Sequence, residues 1–208
     1  MKPRISGLYA VTPDLADTAE LAAKVEAALA GGARVLQYRN KSASAALRLE
    51  QAQTLLARCR ERRVPLIIND DLDLATALDA DGLHLGSEDG ALAAARLRLG
   101  PGKLLGASCY NRLDLALAAA RDGADYVAFG GFFRSSVKPG AVPAPLALLR
   151  EAKQRLALPV VAIGGITPDN APQLIAAGAD GVAVISALFG ASDIRAAARQ
   201  FDALFPRS

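Results

Sequence analysis

Four short segments of this chain repeat one another: Gly32-Ala33-Arg34-Val35, Ala80-Asp81-Gly82-Leu83, Gly123-Ala124-Asp125-Tyr126 and Gly178-Ala179-Asp180-Gly181, each leading into an apolar run. Their alanines, at 33, 80, 124 and 179, lie 47, 44 and 55 residues apart. An interval of that length holds two strands and two helices. Where a glycine opens the segment it suits a helix C-terminus, because positive φ costs glycine little, and a strand follows at once. Between the repeats lie four more apolar runs, Leu8–Val11, Leu66–Asn69, Leu104–Ser108 and Val160–Ile163. Eight strands alternating with helices are therefore predicted. The runs are apolar throughout, as expected of a parallel sheet covered by helices.

The intervening segments carry helical periodicity. Leu21, Val25 and Leu29 share one face of the first helix, and Leu49, Ala52, Leu55, Leu56 and Cys59 one face of the second. Thr167 is expected to cap a helix with Pro168 at its first position that ends before Gly178. Eight units in 208 residues leave 26 each, close to the lower size limit of a (β/α)8 TIM barrel. The expected fold class is α/β, a single TIM barrel over residues 1–208 as one domain, with little chain left for an insertion. A doubly wound open sheet is the competing architecture. Four similar quarters fit closure better, and no Gly-x-Gly-x-x-Gly follows the first strand.

Composition supports a well-buried core, with 52% hydrophobic and 22% charged residues. The net charge is +3 and no block of five like charges occurs, so no nucleic-acid tail is expected. Arg60, Arg62 and Arg63 sit at a helix end, where the helix dipole favours cations. The opening residues run into a strand without an apolar signal core, and no stretch approaches the ~18 apolar residues of a membrane span. A soluble, cytoplasmic protein with no membrane partner is expected. Two cysteines are too few to staple a fold of this size. Cys109 lies beside Ser108 with no base in view, which points to packing or a rim position rather than nucleophilic chemistry.

The polar clusters fall where apolar runs end: Gln37-Tyr38-Arg39-Asn40-Lys41, Asn69-Asp70-Asp71, Glu88-Asp89, Ser108 and Ser135-Ser136-Val137-Lys138. In a barrel of parallel strands the following loops share one rim, so residues a hundred positions apart can meet there. Cations, carboxylates and hydroxyls collected in this way suit a phosphorylated substrate and a hard metal ion. Strand seven runs into Gly164-Gly165, and strand eight ends at Ile185-Ser186, the usual place of a phosphate cup in such barrels. Glycine lets backbone approach a phosphate, and a helix start supplies N–H donors. His84 alternates with Leu83 and Leu85 and reads as a packed or hydrogen-bonded barrel residue. Phe132 and Phe133 either wall a substrate pocket or pack in the core.

Taken in order, Gln37 to Lys41, Ile67 to Asp71, His84 to Asp89, Ala107 to Asn111, Phe132 to Pro139 and Val161 to Pro168 closely resemble the thiamine-phosphate synthase family, and the likeness runs from Leu8 to Phe189. The resemblance implies a transferase that joins a hydroxymethylpyrimidine diphosphate to a thiazole phosphate and releases pyrophosphate with Mg²⁺. It implies that Gln37, Tyr38, Arg39, Asn40 and Lys41 bind the diphosphate substrate, with Arg39, Lys41 and Lys138 as the catalytic cations. Asn69 and Ser108 match contacts to the pyrimidine substrate, and Asp70 and Asp89 match the Mg²⁺ ligands. Ser135, Ser136 and Val137, with Gly165, Ile185 and Ser186, match the thiazole-phosphate site. Asp71 is expected to play a supporting part.

Two positions depart from the family pattern. Relatives commonly carry Thr-Pro-Thr or a close variant before the lysine, so the hydroxyl at 137 is missing here, while Ser135, Ser136 and the Val137 backbone N–H can still donate to the thiazole phosphate. Tyr110 stands where many relatives have histidine. A sister branch of thiazole tautomerases relies on that histidine, and phenols are poor bases near neutrality. The expected mechanism loses diphosphate first, and the thiazole nitrogen then captures the resulting cation. The alternatives are a tautomerase-like barrel, a sugar-phosphate isomerase, or a non-catalytic binder of thiamine precursors. The two small molecules are the expected partners, and a homo-oligomer is left open.

Overall fold

The computed structural model describes residues 2–3, 5–86, 92–133 and 144–206. Its strands are β1 (Gly7–Val11), β2 (Val35–Tyr38), β3 (Leu66–Asn69), β4 (Gly82–Leu85), β5 (Leu104–Tyr110), β6 (Tyr126–Gly130), β7 (Val160–Ile163) and β8 (Gly181–Val184). They are all parallel and close on themselves in sequence order, with β1 hydrogen-bonded to both β2 and β8. Pairing of Gly7 with Gly181 and Ala10 with Val184 removes the edges a doubly wound sheet would have. The fold is a (β/α)8 TIM barrel.

The helices are α1 (Thr18–Ala30), α2 (Ala45–Arg62), α3 (Leu72–Ala77), α4 (Leu92–Leu99), α5 (Leu113–Arg121), α6 (Leu146–Arg155), α7 (Ala171–Ala176), α8 (Ser186–Phe189) and α9 (Ile194–Asp202). Strand alternation splits the apolar residues into two cores. Tyr9, Val11, Val35, Ile67, Leu104, Tyr126 and Val161 fill the barrel. Leu8, Ala10, Leu36, Tyr38, Ile68, Leu83 and Phe129 point the other way and pack against the helices. No helix of the described residues is long and apolar enough to cross a membrane.

The fourfold repeat has a specific physical use. Asp81 accepts the backbone N–H of Leu66 at 2.9 Å, Asp125 that of Leu105 at 2.8 Å, and Asp180 that of Val160 at 2.8 Å. Each repeat carboxylate thus holds the start of the preceding strand at the N-terminal rim. Arg34 replaces the aspartate in the first repeat and pairs instead with Asp202 on α9, Nη2 to Oδ1 at 2.8 Å.

Two expectations are corrected. Leu49 is 40% exposed, although Ala52, Leu55, Leu56 and Cys59 are buried. At 100° per residue Leu49 lies about 70° from the centre of that stripe, outside its edge at Leu56. Fully buried Gln51 occupies the opposite flank, because its amide bonds Tyr38 and Leu15. Thr167 does not cap a helix starting at Pro168. Residues 168–170 form a turn in which the Thr167 N–H donates to Asn170 Oδ1, and α7 begins only at Ala171, with Pro172 in its first turn. The Arg60 to Arg63 group does close α2, with Arg62 paired to Glu26 and Arg63 in the left-handed region at φ 55°.

Candidate active site

The C-terminal ends of β1 to β3 are tied together by residues that follow them. Thr12, fully buried, accepts the Arg39 N–H at 2.8 Å and donates to the Arg39 carbonyl at 2.9 Å. Asp14 Oδ1 lies 3.2 Å from Arg39 Nη1 and accepts the Lys41 N–H at 3.2 Å. One carboxylate therefore sets a guanidinium and the lysine backbone side by side. Lys41, 61% exposed at its side chain, holds Nζ 3.6 Å from Asp70 Oδ2. Thr12 and Asp14 escaped the sequence reading, yet Thr12-Pro13-Asp14 is one more polar cluster at the end of an apolar run.

Asp70 follows β3 with φ 61°, a left-handed conformation that aspartate tolerates better than most residues. Its N–H donates to the His84 carbonyl on β4 at 2.9 Å, and Asn69 Nδ2 donates to its Oδ2 at 2.6 Å. Such strained residues cluster at functional sites. Asp71, beside it, accepts the Leu74 N–H at 2.9 Å and caps α3, so its supporting part is structural.

Two expected binding residues line the cleft but engage their polar side-chain atoms with neighbouring protein groups. Tyr38 donates to Gln51 Oε1 at 2.9 Å in the helical layer. Asn40 spends its amide on the Leu15 carbonyl at 2.7 Å, Gln51 at 3.0 Å and Ser42 Oγ at 3.0 Å. Both anchor the segment that carries Arg39 and Lys41. The segment borders a cleft of about 350 Å³ that Arg48, Asn69, Asp70 and Arg98 also line.

Gln37 points into the barrel instead. Its Nε2 donates to Tyr9 Oη at 3.0 Å, Tyr9 and Tyr126 hydroxyls meet at 2.8 Å, Tyr126 Oη lies 3.0 Å from His84 Nδ1, and His84 Nε2 lies 2.8 Å from Ser108 Oγ. Burial pushes both phenols well above their ordinary range, so each keeps its proton. Gly106 makes room for this chain. A Cβ there would overlap the Tyr126 ring and stand 2.5 Å from His84 Nδ1.

After Ser108 the register between β5 and β6 shifts, so Tyr110 rather than Cys109 pairs with Phe129. Tyr110 is thereby turned out at φ 51° and 43% exposure. Cys109 is buried, and loss of solvation raises its thiol to about 12, which removes the thiolate a nucleophile needs. Phe132 is buried in the layer between barrel and helices.

On the other side of the mouth, Gly164 and Gly165 have φ 108° and 60°, and the Gly165 carbonyl accepts Asn170 Nδ2 at 3.0 Å. A Cβ on Gly164 would overlap Gly131, so only glycine lets these two turns touch. Ile185 follows β8, and Ser186 opens the four-residue α8, exposed at the same rim. Asp89, Glu88, Ser135, Ser136, Val137 and Lys138 lie outside the described residues.

Among the described residues no group of three or more His, Cys, Asp or Glu side chains could hold a metal. Mg²⁺ does not require one, since one or two carboxylates with substrate phosphates and water complete its shell. The Asp70 carboxylate, steadied by the Asn69 amide N–H, supplies the oxygen donors that fit such a hard cation.

The sequence profile of the family described as thiamine monophosphate synthase matches residues 8–188. A thiamine-phosphate synthase of Methylobacillus flagellatus is 61% identical over 98% of this chain and 97% of its own. One of Nitrosospira multiformis is 55% identical over 98% and 87%. The solved structure of a thiamine phosphate pyrophosphorylase from Pyrococcus furiosus superposes with a TM-score of 0.84 at 37% identity, covering 95% of this chain and 94% of that one.

Proposed function

The chain belongs to the thiamine monophosphate synthase family, and from that premise we propose that it joins 4-amino-2-methyl-5-(diphosphooxymethyl)pyrimidine to 4-methyl-5-(2-phosphoethyl)thiazole, giving thiamine phosphate and pyrophosphate. As a member of that family it is an enzyme, a transferase. What carries the reading is the near full-length match to the family together with the meeting of Arg39, Lys41, Asn69 and Asp70 at the C-terminal ends of β2 and β3.

In this reading the protein supplies no nucleophile. The pyrimidine amino group feeds electrons into the carbon that loses diphosphate, and the thiazole nitrogen then attacks it. Arg39 and Lys41, held by Asp14 and the Thr12 clamp, face the charge that builds on the departing diphosphate, and Lys138 joins them. Mg²⁺, once bound by Asp70 and Asp89, would neutralise part of that same charge. Gly165, Ile185 and Ser186, with Ser135, Ser136 and Val137, hold the thiazole phosphate, and Asn69 and Ser108 hold the pyrimidine. Holding two reactants in attack geometry can contribute roughly 7–11 kcal/mol, and one preorganised charge-stabilising donor about 3–4 kcal/mol. Acid–base catalysis is not needed at this scale. That conclusion agrees with the buried, fully protonated phenols and thiol around the site.

Mixing the two precursors with Mg²⁺ and measuring pyrophosphate tests the reading. Release that requires both precursors is expected. Binding of both without release would replace the enzyme with a precursor-binding protein.

A further inference from the structure

The interior of this barrel contains five polar side chains in a single file, from Gln37 through Tyr9, Tyr126 and His84 to Ser108. Each phenol brings one proton, and the Gln37 Nε2 amide can only donate. Tyr9 Oη, accepting from Gln37, must direct its own proton to Tyr126 Oη. If it did not, a buried hydroxyl would go unpaired, at a cost of about 1–3 kcal/mol. Among the described residues Tyr126 then donates to His84 Nδ1, 3.0 Å away. An imidazole that accepts at Nδ1 carries its proton on Nε2, which donates to Ser108 Oγ.

We propose that Gln37, Tyr9 and Tyr126 form a one-way hydrogen-bond chain that fixes His84 as the Nε2–H tautomer, so that Ser108 meets the substrate as a hydroxyl donor. The opposite tautomer would make Ser108 donate to His84 and present only lone pairs at the mouth. The chain thus selects a ligand atom that accepts a hydrogen bond, such as a ring nitrogen or a diphosphate oxygen of the pyrimidine substrate. This choice of ligand atom rests on the function proposed above, whereas the tautomer does not. Tyr126 and His84 are positioning residues, acting through Ser108. Gly106 is part of the device, because any side chain there would displace both the Tyr126 ring and the imidazole.

His84 is the only histidine, so ¹⁵N-histidine labelling reports on it alone. In the unmodified protein a proton coupled to Nε2 and an unprotonated Nδ1 are expected. An Nδ1–H signature, or a mixture of tautomers, would overturn the proposal regardless of any variant. In Tyr126→Phe the single-tautomer signature should give way to a mixture, and KM for the pyrimidine diphosphate should rise about fivefold with kcat changed less. In a Ser108→Ala background the same Tyr126→Phe change should move KM by less than about twofold, because coupled residues are non-additive. Equal effects in both backgrounds would mean that Tyr126 acts only on stability. If the unmodified protein releases no pyrophosphate, the proposed reaction falls while the tautomer measurement still stands on its own.

Discussion

Asp125 and Leu105 bond each other twice: the Asp125 N–H donates to the Leu105 carbonyl at 2.7 Å, and its carboxylate accepts the Leu105 N–H at 2.8 Å. Asp180 and Val160 repeat the arrangement at 2.8 Å and 2.8 Å. Asp125→Ala leaves the Leu105 N–H without its acceptor and breaks pairs to Arg96 and Lys2. A loss of about 2–4 kcal/mol is expected from one unpaired buried donor and a partly buried ion pair. Asp125→Asn, which keeps an oxygen acceptor, should lose less. Urea midpoints of the two variants check this order, with substrate binding at the opposite rim unchanged.

Lys41 and Asp70 pair loosely, at 3.6 Å, with the lysine largely in solvent. Such a pair contributes about 0–1 kcal/mol to stability. Lys41→Ala should therefore leave the urea midpoint almost unmoved while lowering pyrophosphate release about 10²- to 10³-fold, as expected of a group that meets developing charge. Comparable losses in stability and turnover would assign Lys41 to the fold.

Asp70→Asn is the informative change at the proposed metal position. Asparagine also tolerates φ 61°, so the backbone is kept and only the charge is lost. Pyrophosphate release should fall at least about 10²-fold, with a higher Mg²⁺ concentration needed for what remains. Normal turnover at limiting Mg²⁺ would remove Asp70 from the metal site.

Burial raises both Cys59 and Cys109 to about 12. Below about pH 8.5 the thiols are neutral in folded and unfolded chains alike. Between there and about 12 only the unfolded chain loses these protons, so stability falls as pH rises. Replacing both cysteines with alanine should flatten the decline of the urea midpoint between pH 9 and 11. An unchanged slope would place the alkaline sensitivity in Tyr9, Tyr38 and Tyr126, whose buried phenols shift the same way.

The strands at Leu66–Asn69 and Val160–Ile163 were legible to the residue, because each apolar run starts just after a proline, Pro65 or Pro159, and stops at Asp70 or Gly164. So was the clustering of Arg39, Lys41 and Asp70 at one rim, since residues that follow parallel strands must share an end. Side-chain direction within that rim was not legible. That Gln51, from the next helix, takes the polar side-chain atoms of Tyr38 and Asn40 has no sign in the local sequence. Tyr9 and Tyr126 looked like ordinary strand residues within apolar runs.

The order of elements, the barrel closure and the end of it that carries the polar residues were set by spacing along the chain, because periodicity and turn chemistry act between near neighbours. The hydrogen-bonded file inside the barrel was decided only by the closed sheet. Tyr9 and Tyr126 stand 117 residues apart, and their hydroxyls come to 2.8 Å only because curvature brings their inward faces to one axis. No local pattern encodes which inward hydroxyl another will face, and a buried hydroxyl must find a partner wherever closure places one.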